Sequence, residues 1–254
     1  MKRVLRWLDA LFFPPRCAAC GKLMHPDAVT HDLALCPHCK SRFEGEMHSQ
    51  CPRCFLEYCA CRCAPKSLRD RGISCYVKLA PYGGDRESSV TQNLVLGIKK
   101  DPSHRAVGFF ASELAVGVKA AVEASERMRE KQGKAPLETV ITYLPRSKKK
   151  VRRVGVDQAK ELARALSKST GYCFRQLLVR VHDGASQKSL TKKARTENLK
   201  GAFAKKGENV SNFRVLLVDD VVTTGAGMAE CAKALSCAEL VAVSVAYTEK
   251  KRIK

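Results

Sequence analysis

Aromatic side chains are scarce in this 254-residue chain: one Trp, six Tyr and nine Phe, 6% of the total. None of them interleaves the basic run at 146–153, which argues against a base-stacking platform there, the device that single-strand binders use. Acids are also few, 25 against 46 Lys and Arg, for a formal net charge of +21. Such a balance points to an anionic partner, either phosphate groups or nucleic acid. No apolar run approaches the ~18 residues that a membrane-spanning helix needs. The parts of a secretory leader are missing as well. Arg6 and Asp9 interrupt the apolar stretch of residues 1–15, and no small-residue cleavage site follows before the cysteines begin. The stretch reads instead as a short amphipathic helix with Leu5, Leu8, Leu11 and Phe12 on one side. A cytoplasmic protein without a membrane span is expected. Disulfides then do not account for the cysteines.

Cysteine is what the chain does have, 13 in all, nine of them between Cys17 and Cys63. Cys75, Cys173, Cys231 and Cys237 are scattered and read as small core residues. The first four clustered cysteines form Cys17-x2-Cys20-x15-Cys36-x2-Cys39. This spacing suits a tetrahedral zinc site, each pair forming a knuckle whose thiolates aim at one ion. Cys51-x2-Cys54 follows, then Cys59, Cys61 and Cys63, so five cysteines compete for four places. Cys51, Cys54, Cys59 and Cys63 is one ligand set, and Cys61 could replace either of the last two. A disulfide scaffold or a redox pair are the competing explanations. With four thiolates and no open position, one or two zinc ions would hold the fold rather than catalyse. The segment has few large apolar residues, so metal would supply much of its folding energy.

A hydrophobic fraction of 45% is ample for a packed core, and the length suits one large domain or two unequal ones. The polar stretch 66–74 after the last clustered cysteine marks a boundary. The expected division is a double zinc-finger-like module at 1–70, including the N-terminal helix, and a larger domain at 71–254. Residues 1–75 hold 12 basic and 7 acidic residues, net +5, and residues 76–254 hold 34 and 18, net +16. The charge therefore does not come mainly from the cysteine module. In the larger part, helices are expected over 113–131, 157–169 and 227–235, and strands over 139–144, 215–218 and 240–246. Alternating strands and helices predict an α/β fold with a mainly parallel sheet flanked by helices.

The most informative stretch runs from Arg214 to Met228. Val215 to Val218 predict a buried strand with Asp219 and Asp220 at its C-terminal end. Thr223, Thr224, Gly225, Ala226 and Gly227 then lead into a helix. Ligands of open parallel sheets bind beyond the carboxyl ends of the strands. Small residues there let backbone N–H groups approach a phosphate, and the helix N-terminus favours negative charge. Carboxylates only accept hydrogen bonds, so the acids suit sugar hydroxyls or Mg2+. An ordinary strand–turn–helix with Asp and Thr capping is the plainer alternative. The loop lacks the Gly-Lys-[Ser/Thr] ending of a Walker A motif.

These residues resemble the phosphoribosyl pyrophosphate (PRPP) motif of type I phosphoribosyltransferases. Nearly the whole chain is similar to the ComF (competence protein F) family, which joins a cysteine zinc module to a type I phosphoribosyltransferase-like domain. Further matching pieces are Pro15-Arg16-Cys17-x2-Cys20-Gly21, Cys36-Pro-x-Cys39, Cys51-Pro-Arg-Cys54, Leu144-Pro145 and Gly155-x-Asp157-Gln158. Gln187-x2-Leu190-x4-Arg195-x2-Asn198-Leu199-x-Gly201-Ala202-Phe203 completes the set. The resemblance implies that Asp219 and Asp220 contact the ribose hydroxyls and that Thr223–Gly227 wrap the 5′-phosphate. Leu144, Pro145, Arg146, Ser147 and Lys148 would form the pyrophosphate loop, and Arg195 would lie in the flexible loop. It implies Mg2+ held with PRPP, transfer of a phosphoribosyl group, and a setting in DNA uptake and natural transformation. Single-stranded DNA and a DNA-translocating helicase would be its partners there.

Three departures stand out. The family usually has Thr where Gly227 stands. Its Arg-Gly-Phe-Asn-Gln appears as Val154-Gly155-Val156-Asp157-Gln158, with Arg153 one place early. Thr223 occupies the position where similar purine-salvage enzymes carry an acid–base carboxylate. Two functional readings follow: a Mg2+-dependent phosphoribosyltransferase, or a non-enzymatic DNA- or helicase-binding competence factor that keeps a nucleotide-type pocket. Arg146, Lys148, Lys149, Lys150, Arg152 and Arg153 bear on both, as an electrostatic funnel for PRPP or as a nucleic-acid surface. A solvated charged face is the third reading of that run. Lys188, Lys192, Lys193 and Arg195 carry the same ambiguity.

Overall fold

A computed structural model describes residues 12–25, 27, 33–73, 75–83, 89–100, 104–182 and 199–248. The chain is an α/β protein whose five-stranded sheet is wholly parallel. In chain order the elements are α1 (Pro37–Met47), α2 (Lys66–Arg69), β1 (Tyr76–Pro81), α3 (Val90–Lys100) and α4 (His104–Lys131). Then come β2 (Glu138–Tyr143), α5 (Lys148–Val154), α6 (Gln158–Thr170), β3 (Cys173–Phe174), β4 (Leu178–Arg180) and β5 (Phe203–Lys205). The last are β6 (Phe213–Val222), α7 (Ala226–Ala234) and β7 (Glu239–Tyr247). The sheet order is β1-β7-β6-β2-β3, and β4 and β5 form a separate antiparallel pair. Of the sites expected from sequence, Arg195 and the rest of 183–198 lie outside the described residues, as do most of the N-terminal helix and the basic tail.

The middle strand β6 is buried on both faces, so its sequence is an apolar run rather than an alternation. Alternate residues still face opposite ways. Leu216 and Val218 join a cluster with α3, α4 and α6, while Val215 and Leu217 join one with α7 and the β4–β5 pair. Asp220 therefore inherits the α3/α6 side and Asp219 the α7 side.

The cysteine-rich segment does not pack by itself. Cys17, Leu35, Cys39, Phe43 and Met47 belong to the same apolar cluster as Phe110 of α4 and Leu79 of β1. The Phe43 ring meets Phe109 edge-on at 5.2 Å. Glu46 of α1 caps α3, accepting from the backbone N–H of Val90 at 2.6 Å and of Thr91 at 2.9 Å. Arg105 donates to the carbonyls of Leu33 and Arg16 at 3.1 and 3.2 Å. At the amino end of β6, fully buried Arg214 ties that strand to Glu126 of α4 at 2.6 Å and to Glu239 of β7 at 2.8 Å. Among the described residues, no helix is long and apolar enough to cross a membrane.

Candidate functional site

The carboxyl ends of β2 and β6 are adjacent, with Tyr143 in register with Val218 and the Leu144 N–H bonded to the Val218 carbonyl at 2.9 Å. Leu144–Lys148 and Asp219–Gly227, expected from sequence to share one site, thus start side by side. Arg146 Nη2 donates to Asp220 Oδ2 at 2.8 Å. Lys99 of α3 lies 3.4 Å from the same oxygen. Burial by itself would raise the Asp220 pKa, but Lys99 and Arg146 outweigh it and hold the carboxyl below the ordinary aspartate value. Asp219 goes the other way. Although its residue surface is only partly covered, the carboxyl is desolvated and sits beside the Asp220 charge, so its pKa lies well above the ordinary value. Two adjacent acids, Asp220 with a lowered pKa and Asp219 with a raised one, stand near the carboxyl end of β6, which runs on to Val222.

The turn after β6 is shaped for a helix start. Gly225 adopts φ 77° and is the N-cap of α7. Thr224 Oγ1 accepts from the Ala226 N–H at 3.3 Å. Thr223 is exposed. The missing side chain at 227 has a local reason: a Cβ there would lie 2.9 Å from Leu144 Cδ1. The β2 loop has filled the space that a Thr at this position would need.

Arg146 is fixed from behind. Its backbone N–H donates to Asp157 Oδ2 at 3.0 Å. Asp157 Oδ1 and Gln158 Oε1 are buried polar atoms without a partner among the described residues, beside a Gln158 Nε2 that donates to the Lys99 carbonyl at 3.4 Å. Pro145 and Ser147 are buried, and Ser147 Oγ caps α5 by accepting from the Lys150 N–H at 3.2 Å. Lys148, Lys149, Lys150, Arg152 and Arg153 are exposed on α5. The basic run therefore divides: Arg146 stays on Asp220, and from Lys148 onward it is one helix with a solvent-exposed basic face.

The cysteines form two tetrads. Cys17, Cys20, Cys36 and Cys39 converge, as do Cys51, Cys54, Cys61 and Cys63, each with all sulfurs within 4.8 Å of one another. Zn–S bonds of about 2.3 Å in a tetrahedron put sulfurs about 3.8 Å apart. Cys20 and Cys36 Sγ are 3.9 Å apart, and Cys54 and Cys61 Sγ 3.5 Å apart. Both tetrads fit structural zinc. The ligand set with Cys59 is corrected: Cys61 is fully buried in the second tetrad, while Cys59 groups with His48 and Glu57 on the surface. The reason is the backbone. Residue 59 is pinned to α1 by its N–H bond to the Met47 carbonyl at 3.2 Å, and 61 turns inward. Burial opposes ionisation of Cys17, but backbone N–H groups of Cys36, Cys20 and Ala19 bring its pKa down to about 7. Burial and the neighbouring thiols Cys54 and Cys61 push Cys63 up to about 12. Crowded thiols cannot all ionise without a cation among them.

Three residues at these sites lie outside the motifs that the sequence marks. Lys99 reaches Asp220 from α3. Ser67 Oγ donates to the Thr224 carbonyl. Lys78, a lysine inside the apolar strand β1, is 1% exposed and directs Nζ to Cys61 Sγ at 3.1 Å. Only the last could have been suspected, as a charge in an apolar run.

In the comparisons with known proteins, no family model matches this chain and no curated protein matches it.

Proposed function

We propose that this chain is a PRPP-binding, phosphoribosyltransferase-like protein of the ComF type that works in DNA uptake. The observation that carries this reading is the Asp219–Asp220 pair at the end of β6. It is followed by a Gly225-capped helix and flanked by Arg146 from the neighbouring strand end. Free backbone donors at a helix start suit a 5′-phosphate. The carboxylates suit ribose hydroxyls, which are donors. Arg146, in the expected pyrophosphate loop, would meet the charge of the leaving group, exchanging its Asp220 contact for pyrophosphate. Hard carboxylate oxygens are also the ligand type Mg2+ takes. Asp219 and Asp220 would hold it with PRPP, where it would neutralise the leaving group.

The reaction would break the C1–pyrophosphate bond and join C1 to an acceptor nucleophile. Positioning and charge stabilisation would supply the rate, without a covalent protein intermediate. Release of pyrophosphate from PRPP across a panel of acceptors is the test. Release that is lost on Asp219→Asn/Asp220→Asn supports the proposal. No release with any acceptor leaves the second reading, a non-enzymatic competence factor that binds single-stranded DNA or a helicase. The outward basic face of α5 favours that alternative. DNA affinity that falls with salt, with a shallower slope in Lys148→Ala/Lys149→Ala/Lys150→Ala, would mark α5 as the contact.

A further inference from the structure

Four residues, Ala64 to Ser67, lead from the second cysteine tetrad to a side chain bonded to the turn expected to hold phosphate. Cys61 and Cys63 are the last two ligands, and Ala64 follows, 1% exposed. The Ala64 carbonyl accepts from Arg53 Nη1 at 2.9 Å, and Arg53 lies inside the Cys51–Cys54 knuckle. Arg69 Nη1 donates to the same carbonyl at 3.3 Å. From the sheet, Lys78 Nζ donates to Cys61 Sγ at 3.1 Å and to the Cys63 carbonyl at 3.2 Å, with the Tyr76 ring beneath it at 5.0 Å. Four thiolates around Zn2+ carry a net charge of two minus, so a buried ammonium fits the loaded tetrad better than an apolar side chain would. These bonds fix where the chain leaves the tetrad.

It leaves directly onto the β6–α7 turn. Ser67 Oγ donates to the Thr224 carbonyl. A Cβ on Gly225 would lie 2.7 Å from Ser67 Oγ, 3.1 Å from Leu68 Cγ and 3.2 Å from Pro65 Cγ. Leu68 is fully buried in the cluster that holds Met228 and Ala229 of α7. The left-handed Gly225 is thus enclosed by the segment that the tetrad anchors.

We propose that Ser67 is a positioning residue for the phosphate turn, and that metal in the Cys51–Cys54–Cys61–Cys63 tetrad sets the turn's geometry through it. The proposal rests on the reading of Thr223–Gly227 as a phosphate site. Coupling of this kind is reciprocal: if zinc tightens PRPP binding, PRPP tightens zinc by the same factor. A residue that served stability alone would not link the two.

The experiment uses the full zinc-loaded chain and its Ser67→Ala variant. It reads zinc release to a chromogenic chelator with and without Mg2+–PRPP, PRPP affinity by calorimetry, and hydrogen exchange of the 222–228 amides. In the parent chain PRPP is expected to slow the release of one of the two zinc ions. In Ser67→Ala both ions stay bound, PRPP affinity drops about fivefold, as for one lost hydrogen bond, the 222–228 amides exchange faster, and PRPP no longer slows release. Equal PRPP affinity and equal chelation kinetics in the two proteins would overturn the coupling. Absence of PRPP binding to the parent chain would defeat the phosphate reading itself. Hydrogen exchange then still decides whether Ser67 holds the turn: unchanged exchange in Ser67→Ala overturns that too.

Discussion

Leu144 and Gly227 occupy one space: a Cβ at 227 would lie 2.9 Å from Leu144 Cδ1. Installing a Thr at 227 should therefore cost stability. Gly227→Thr is expected to lower stability by about 1–3 kcal/mol, the usual cost of overpacking. Adding Leu144→Ala should recover part of the loss, since touching residues are not additive. Thermal unfolding of the two single variants and the double variant checks this.

The two acids should respond oppositely to charge removal. Asp219 has a raised pKa in the folded state, so the fold holds its proton more tightly than the unfolded chain does. Its effect is to lower stability as pH rises from the ordinary aspartate value through the folded pKa. Asp219→Asn should remove that decline and leave the ligand-free protein at least as stable at neutral pH. Asp220 has a lowered pKa, so its contribution is present above the ordinary value and lost as pH falls through the folded one. Asp220→Asn should cost about 2 kcal/mol at pH 7, because Arg146 and Lys99 lose their charged acceptor. Denaturant midpoints across pH 3–8 separate the two.

Arg214 should matter to the fold and not to the site. It is fully buried among Glu126, Glu239, Ser125 and Thr139, at the strand ends opposite the acidic pair. Arg214→Met should destabilise by about 3–5 kcal/mol, because it leaves two carboxylates without their cation. Stabilised by low temperature, the variant should still bind PRPP.

Zinc content should distinguish the neighbouring cysteines. The parent chain is expected to carry two ions. Cys59→Ser should keep both, and Cys61→Ser should lose one. Metal analysis of the purified variants checks the count. Loss of an ion in Cys59→Ser alone would restore the other ligand set.

The parts legible in sequence are those where local pattern and tertiary role agree. Val215–Val218 is an uninterrupted apolar run and Leu240–Ala246 is broken only by Ser244, and both are inner strands of the sheet. The first tetrad followed from spacing alone. β1 escaped notice because Lys78 breaks its apolar pattern, and that lysine is there for the tetrad, not for the sheet. α5 offers only the half-buried Val151 and Val154 as apolar positions, too few for periodicity to reveal it, although the Ser147 cap and the left-handed Gly155 are readable start and stop signals. α4 begins nine residues ahead of its expected start because its early turns pack on the cysteine segment. Lys99 and Ser67 touch the acidic pair and the turn only through long-range contacts, for which a single sequence carries no sign. The fifth cysteine was undecidable from spacing, since both registers satisfy a four-ligand count.

The most direct measurement is calorimetric titration of Mg2+–PRPP into the zinc-loaded chain and into Asp219→Asn/Asp220→Asn. One site per parent chain, and none in the folded variant, is the expected result. No heat of binding to the parent chain, or equal binding by both proteins, would contradict the account.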